Sequence, residues 1–104
     1  MRLRLIGLTL LLACTLPQIA SAQAWPQKPI KMIIPFPAGG GTDFIGRVAA
    51  KHLSDRLGQQ VFVENRGGAN GGVGLQALMQ ADRDGYTIAT SSDTPLVVNP
   101  WIFD

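Results

Sequence analysis

The chain has 104 residues, of which 46% are hydrophobic and 15% are charged, with nine Lys and Arg against seven Asp and Glu. Arg2 and Arg4 account for the surplus of two positive charges, so the remainder is neutral and lacks the basic cluster of a nucleic-acid-binding protein. One cysteine, Cys14, and one histidine, His52, exclude a disulfide framework and argue against a metal centre, and no cofactor is indicated.

Residues 1–22 have the pattern of a secretory signal peptide. A positive amino-terminal region precedes an almost wholly apolar run over residues 5–16, and residues 20–22 (Ala-Ser-Ala) give the small residues that a signal peptidase accepts. The run is shorter than the ~20 residues of a membrane-spanning helix. The sequence around Cys14 matches a lipoprotein box poorly, so lipidation is not expected. We therefore predict an exported, periplasmic mature chain, residues 23–104.

The mature part predicts alternating strands and helices in chain order. The expected elements are a strand over 30–34, a helix over 42–57 that ends at Gly58, a strand over 61–63, a helix over 74–81 and a strand over 86–90. The predicted inward faces are Phe44, Ile45, Val48, Ala49, Leu53 and Leu57 on the first helix, and Leu75, Leu78 and Met79 on the second. This order predicts an α/β fold, a βαβαβ unit with a parallel sheet.

The first loop of this unit carries the most informative motif. Gly39, Gly40 and Gly41 lead into the first helix, with Thr42 as the expected N-cap and Asp43 in the first turn. Backbone N–H groups and the positive end of the helix dipole then meet at the carboxyl edge of the sheet, where such folds bind ligands. The residues alone fit an anion site and an ordinary strand-to-helix turn equally well.

Enzyme motifs fit the chain poorly. Residues 72–77 match G-x-G-x-x-A, with Asp93 at the distance of a ribose contact, but a long loop separates them from the preceding strand. No Lys-Ser or Lys-Thr pair follows the glycines, which excludes a P-loop. Ser91 or Ser92 as nucleophile would need a base, and His52 is predicted on a helix surface. We predict no catalytic residue and no enzyme, with a dinucleotide-binding oxidoreductase fragment as a distant alternative.

Three segments together resemble one receptor family. PFPAGGGTD (35–43), VFVENRGGANGGVG (61–74) and ADRDGYTIATSSDT (81–94), followed by Asn-Pro at 99–100, resemble the extracytoplasmic solute receptors of tripartite tricarboxylate transporters, the Bug receptors. The resemblance implies a two-lobed periplasmic binding protein of the Venus-flytrap type, of which residues 23–104 form part of lobe 1. It also implies a small carboxylated ligand and a membrane permease as partner.

The resemblance assigns a binding site to the three carboxyl-edge loops, 35–42, 64–72 and 91–95. The ligand-binding positions are Phe36, Ala38, Gly39, Gly40, Gly41, Thr42, Asp43, Asn65, Ser91, Ser92 and Asp93. Backbone and hydroxyl groups would hold the carboxylate, partly through water, while Asp43 orients the loop or meets an ammonium group or water. Asp93 and Pro95 depart from the family pattern. The ligand classes it allows are di- and tricarboxylates, acidic amino acids and aromatic acids.

The family's members are considerably longer than this chain. The alternative to a working receptor is therefore a fragment that holds one face of the site and lacks function. The apolar tail Trp101, Ile102 and Phe103 fits this alternative, because it resembles an edge that further sequence would cover.

Overall fold

The computed structural model describes residues 24–102. Its elements are β1 (Ile30–Ile34), α1 (Gly41–Leu57), β2 (Val61–Asn65), a 3-10 turn (Ala69–Gly71), α2 (Gly72–Gln80), β3 (Thr87–Ala89), a π-helical segment (Thr94–Val98) and α3 (Asn99–Ile102). The predicted α/β class and βαβαβ order are confirmed. The signal peptide, Cys14 and Phe103 lie outside the described residues. No helix between residues 24 and 102 has the length and apolarity needed to cross a bilayer.

The three strands form one parallel sheet in the order β2-β1-β3. The central strand β1 was predicted with correct bounds, because four of its five side chains are apolar and buried. Lys31, the exception, is half-buried and lies 3.2 Å from Glu64 on β2. β2 runs two residues beyond its prediction, since Ile34 still pairs with Asn65. β3 is one residue shorter than predicted at each end.

The two long helices cover opposite faces of the sheet. Successive side chains of an extended chain point to opposite faces. A Cβ on Gly46 of α1 would lie 2.5 Å from Ile34 Cδ1, whereas a Cβ on Gly74 of α2 would lie 2.5 Å from Pro35 Cβ. Right-handed crossovers that run in opposite directions from the sheet centre give the same arrangement. The main core lies under α1 and consists of Ile30, Met32, Ala50 and Val61.

The predicted inward face of α1 is wrong in its first half. Phe44 and Ile45 are 71% and 67% exposed, and Val48 is exposed as well. The buried positions are Asp43, Gly46 and Ala50 instead. Small residues face the sheet because the helix axis approaches it too closely for large side chains. Ala49, Leu53 and Leu57, in the second half, do pack against the core as predicted.

α2 differs from its prediction for the same reason. It begins at Gly72 rather than Gly74, and its buried residue is Gly74. Leu75 and Leu78 are half-buried as the predicted face requires, but Met79 is 79% exposed. The predicted end of α1 is confirmed: Gly58 has a left-handed φ of 67° and its N–H donates to the Ser54 carbonyl.

Alanine substitutions at three helical glycines test this close packing. We expect Gly74→Ala to lower the free energy of unfolding by about 2–3 kcal/mol, because the new methyl meets the Pro35 backbone at 2.7 Å. Gly46→Ala should cost only about 1 kcal/mol, since it meets the movable end of the Ile34 side chain. Gly41→Ala, with nothing within 4 Å, is the control and should stay within about 0.5 kcal/mol. Urea unfolding of the three variants measures these free energies. Equal losses in all three would contradict the packing argument.

Candidate functional site

The carboxyl ends of the three parallel strands meet at one edge of the sheet. The segments that follow β1, β2 and β3 are called loop 1 (35–40), loop 2 (66–71) and loop 3 (90–93). A Cβ on Gly71 would lie 3.3 Å from Phe36 Cζ and 2.9 Å from Pro95 Cγ, and one on Gly67 would lie 3.1 Å from Pro37 Cδ. Loops 1 and 2 and the π-helical segment after loop 3 are therefore in contact, as the parallel topology requires. Pro95 is buried in this contact.

A buried carboxylate joins loop 1, α1 and β2. Asp43 is 5% exposed. Its oxygens accept hydrogen bonds from the Gly39 N–H (2.9 Å), from Arg47 Nε (3.0 Å to each oxygen) and from Asn65 Nδ2 (2.9 Å). Asn65 Nδ2 also donates to the Phe36 carbonyl, and Arg47 Nη2 donates to Asn65 Oδ1, both at 3.0 Å. Asp43 thus holds loop 1 through the Gly39 N–H, and its role toward a ligand stays a prediction.

This arrangement keeps Asp43 ionised and compensates its charge. Hydrogen bonds from Arg47, the Gly39 N–H and Asn65, in that order of size, lower the pKa of the Asp43 carboxyl from 3.8 to about 2. The Arg47 guanidinium contacts both carboxylate oxygens. The pair therefore presents little net negative charge to an approaching anion, although an acid stands in the first turn of the helix.

The start of α1 differs from its prediction. The N-cap is Gly40, not Thr42, and it makes no side-chain capping hydrogen bond. Thr42 lies inside the first turn, two residues after the N-cap. Gly39, with a left-handed φ of 92°, turns the chain just before the helix, and its N–H donates to Asp43. The first intrahelical bond runs from the Phe44 N–H to the Gly40 carbonyl at 3.0 Å. Helix geometry therefore gives the N–H groups of the preceding residues, 41–43, no acceptor within the helix.

Loop 3 contains two buried hydroxyl groups, one of which packs on α1. Thr90 Oγ1 and Ser91 Oγ are buried and have no hydrogen-bond partner within the described part of the chain. Thr90 Oγ1 would lie 3.1 Å from a Cβ on Gly46, so this hydroxyl packs on the second turn of α1. Ser92 is half-buried and Asp93 is exposed. Buried hydroxyls without partners are uncommon, and both can donate to an oxygen ligand.

The predicted ligand-binding residues before loop 3 divide into two groups, one at the surface of the edge and one engaged in the hydrogen-bond network. Ala38, Gly39, Gly40 and Gly41 are exposed at the edge, with Thr42 and Phe36 half-buried beside them. Asp43 and Asn65 are instead engaged with each other and with loop 1.

Two residues of this region were missed from the sequence. Arg47 is detectable from its i,i+4 spacing to Asp43. Thr90 carries no comparable signal, because only the fold brings it against Gly46. Arg66, which follows β2 at the same edge, pairs with Glu64 and lowers the pKa of that carboxyl.

Two cavities are lined by residues other than the predicted ligand-binding ones. One of about 400 Å³ lies between the end of α2 and the start of β3, and one of about 450 Å³ lies between α2 and α3. The residues of the anion-binding prediction line neither of them. Between residues 24 and 102, no group of three His, Cys, Asp or Glu side chains is placed to hold a metal ion.

Comparison with known proteins connects this geometry to one family. Residues 45–104 match the family model described as tripartite tricarboxylate transporter family receptor. Protein BugT of Bordetella pertussis is 51% identical over 79 residues, which are 75% of this chain and 24% of BugT. The chain spans about a quarter of the length of the curated relatives it matches.

Solved structures give the same result for the fold. The structure of a periplasmic transporter matches with a TM-score of 0.72 and 43% identity, covering 74% of this chain and 26% of that one. R. palustris Rpa4515 with adipate matches with a TM-score of 0.66 and 31% identity, covering 68% and 24%. The predicted membership of a periplasmic-binding-protein-like fold is thereby confirmed.

Acid titration of an Asp43→Asn variant tests the buried network. At pH 7 we expect a lower urea midpoint, because the new NH₂ group faces donors on Arg47 or Asn65. The folded pKa lies below that of the unfolded carboxyl, so the stability that Asp43 contributes is present above about pH 4. It is lost as the pH falls toward 2, and the midpoints of the two proteins should converge there.

Asp55→Asn is the matched control for that titration. Asp55 pairs with Lys51 at 2.8 Å, but its side chain is 60% exposed. We expect only a small change in midpoint at any pH, because solvent screens an exposed pair. An Asp43→Asn effect that stayed constant between pH 6 and pH 3, or that matched the control, would contradict the network's role.

Proposed function

The chain belongs to the tripartite tricarboxylate transporter receptor family, and we propose that the first turn of its α1 helix binds one carboxylate group of a small metabolite. The observation that carries this proposal is the uncapped start of α1. Gly40 supplies no side chain to the N–H groups of Gly41 and Thr42. An anion at this position would accept those bonds and meet the positive end of the helix dipole.

The glycines at the junction of loop 1 and α1 favour a ligand over a simple turn. A Cβ on Gly41 would meet nothing within 4 Å, and one on Gly40 only the Pro37 carbonyl oxygen at 3.9 Å, so packing does not require glycine at either position. The absence of a side chain does let a ligand oxygen come close to the backbone. At Gly39, by contrast, the positive φ of the backbone is itself a reason for glycine.

The electrostatics of the first turn are compatible with a carboxylate. Arg47 compensates Asp43, and the Asp43 oxygens already accept bonds from loop 1 and β2. A second negative group is then attracted by backbone dipoles and is not repelled by an isolated acid. Thr90 and Ser91, whose hydroxyls have no partner in the described residues, are candidate donors to the same ligand or to a bridging water.

The ligand class follows from the family and from one relative. One solved structure that matches this chain is that of R. palustris Rpa4515 with adipate. We propose a di- or tricarboxylate, an acidic amino acid or an aromatic acid as ligand. The exposed Asp93 beside Ser91 and Ser92 favours, within this set, a ligand that also carries an ammonium group or a neutral polar group.

We place this receptor in the periplasm, with a membrane permease as its partner. The signal-peptide pattern of residues 1–22 and the family support both assignments. In Venus-flytrap receptors, closure of two lobes buries the ligand. The span described here supplies one face of such a site, so its own affinity for a carboxylate should be millimolar at best, about −4 kcal/mol.

A pair of substitutions at Gly41 tests the anion site. Gly41 is the first helical residue, where proline is well tolerated, and Gly40 has the extended φ of −83° and ψ of 175° that a residue before proline adopts. Gly41→Pro therefore removes one N–H with little cost to the helix, while Gly41→Ala keeps it. We expect Gly41→Pro to weaken adipate binding about tenfold or more, as for a lost hydrogen bond to a charged ligand.

The readout is the shift of backbone amide NMR signals during titration of the mature chain with adipate. Signals of Gly40, Thr42 and Ser91 should move in the unmodified chain and in Gly41→Ala. Adipamide, the neutral analogue, should leave them unmoved. Shifts confined to other surfaces, or equal affinity of the proline and alanine variants, would contradict the proposal. Micromolar affinity would contradict the one-face interpretation.

A further inference from the structure

The charge balance at the start of α1 depends on one residue, Arg47. Three groups donate hydrogen bonds to the Asp43 oxygens, and two of them, the Gly39 N–H and Asn65 Nδ2, are neutral. Only Arg47 Nε, 3.0 Å from each oxygen, brings a positive charge. Within residues 24–102, Asp43 takes part in no other ion pair.

The charged groups on the neighbouring elements are engaged with one another. Loop 1, residues 35–40, contains no charged residue. On β2, Glu64 lies 3.2 Å from Lys31 Nζ and also pairs with Arg66. These two cations therefore neutralise Glu64 and make no contact with Asp43. If Arg47 were removed, no other cation in contact with Asp43 would take its place.

An uncompensated Asp43 carboxylate would act directly on a bound anion. Thr42, whose N–H belongs to the proposed anion site, precedes Asp43 in the chain, and Gly41 lies one residue further back. A carboxylate held by these N–H groups is thus within about the 8–10 Å over which salt screens a charge. Two carboxylates at this distance repel each other, and burial of Asp43 limits the screening by water.

Arg47 also fixes the orientation of the Asn65 amide. Its Nη2 donates to Asn65 Oδ1 at 3.0 Å. The Nδ2 group of the same amide is thereby directed to Asp43 Oδ1 and to the Phe36 carbonyl. A reversed amide would place its oxygen against these two acceptors. One guanidinium therefore holds both the charge of Asp43 and the donor side of Asn65 in place.

We propose that Arg47 is the specificity-determining residue of the anion site: its guanidinium cancels the charge of Asp43, so that the first turn of α1 accepts a carboxylate, and without it the same turn rejects one. This inference rests on the proposed function and adds the residue that sets the sign of the ligand's charge. Arg47 acts through Asp43 and is a positioning residue. Its side chain is 52% exposed, so its own charge remains hydrated at little cost.

A double-mutant cycle in the mature chain tests this role. The four proteins are the unmodified chain, Arg47→Met, Asp43→Asn and the double variant, each titrated with adipate at pH 7 and followed by backbone amide NMR. Arg47→Met should weaken adipate binding about five- to tenfold, as expected for one uncompensated charge near a protein surface. Asp43→Asn should bind adipate at least as tightly as the unmodified chain. The double variant should return to within about twofold of it.

Two further variants separate charge from structure. Arg56→Met is the matched control: it removes the same charge from the last turn of α1, about 20 Å along the helix from Asp43, and should leave adipate affinity unchanged. Arg47→Lys keeps the charge but not the planar donor group, so it should retain most of the affinity. A purely structural role of the network predicts weaker binding in Arg47→Lys, in Asp43→Asn and in the double variant alike.

A pH profile with butane-1,4-disulfonate gives a second readout, because this dianion keeps its charge at low pH. In the unmodified chain, Arg47 is the largest cause of the low pKa of Asp43. In Arg47→Met the pKa of Asp43 should therefore rise, and protonation then removes the repulsion. Disulfonate affinity of this variant should increase as the pH falls from 7 toward 3. The double variant, which lacks the Asp43 carboxyl, should not show this increase.

The outcomes distinguish this inference from the proposed function. Equal adipate affinity of Arg47→Met and Arg56→Met would overturn the role of Arg47, and so would a double variant as weak as Arg47→Met. In both cases adipate still binds the unmodified chain, and the proposed function stands. If the Gly40 and Thr42 signals of the unmodified chain do not move with adipate, the proposed function fails and the role of Arg47 fails with it.

Discussion

One buried carboxylate organises the carboxyl edge of this sheet. Within residues 24–102, Asp43 is the sole charged residue that is buried, and its hydrogen-bond donors come from loop 1, α1 and β2. A buried charge is costly unless every partner is in place. The backbone of loop 1 is therefore fixed only when α1 has packed and β2 has reached its full register. This coupling holds the exposed glycines in one geometry without any side chain of their own.

The same edge shows how the first turn of a helix can contain an acid whose charge is compensated by a neighbouring guanidinium. The Asp43 oxygens accept hydrogen bonds from the Gly39 N–H, which precedes the helix, and from the side chains of Arg47 and Asn65. The N–H groups of Gly41 and Thr42 are left to solvent or ligand, because the N-cap is a glycine. The N–H group that holds the loop, on Gly39, and the N–H groups proposed to bind an anion, on Gly41 and Thr42, thus lie two and three residues apart.

The sequence predicted the order of elements, the strand β1 and the end of α1, because each depends on local pattern: an apolar run, helical spacing and a terminal glycine. It did not predict which face of α1 is buried. The spacing of apolar residues predicts that the large ones are buried. In the structure, Gly46 and Ala50 face the sheet instead, because the helix lies so close to it. Asn65 was found through the family resemblance, but its partners depend on the pairing with Ile34, which no local signal carries. Thr90 was missed for the same reason.

The position of β1 in the sheet has a consequence for the order in which the structure forms. β1 is the first strand in the chain and the central one in the sheet, and Lys31 pairs with Phe62 on one side and with Thr87 on the other. Neither ladder is local, so both require closure of a long crossover before they stabilise the strand. During synthesis, the Ile-rich segment precedes both of its partner strands and is paired on both sides only after residue 89 has followed. The most apolar strand of the molecule is thus the one that depends longest on protection from aggregation.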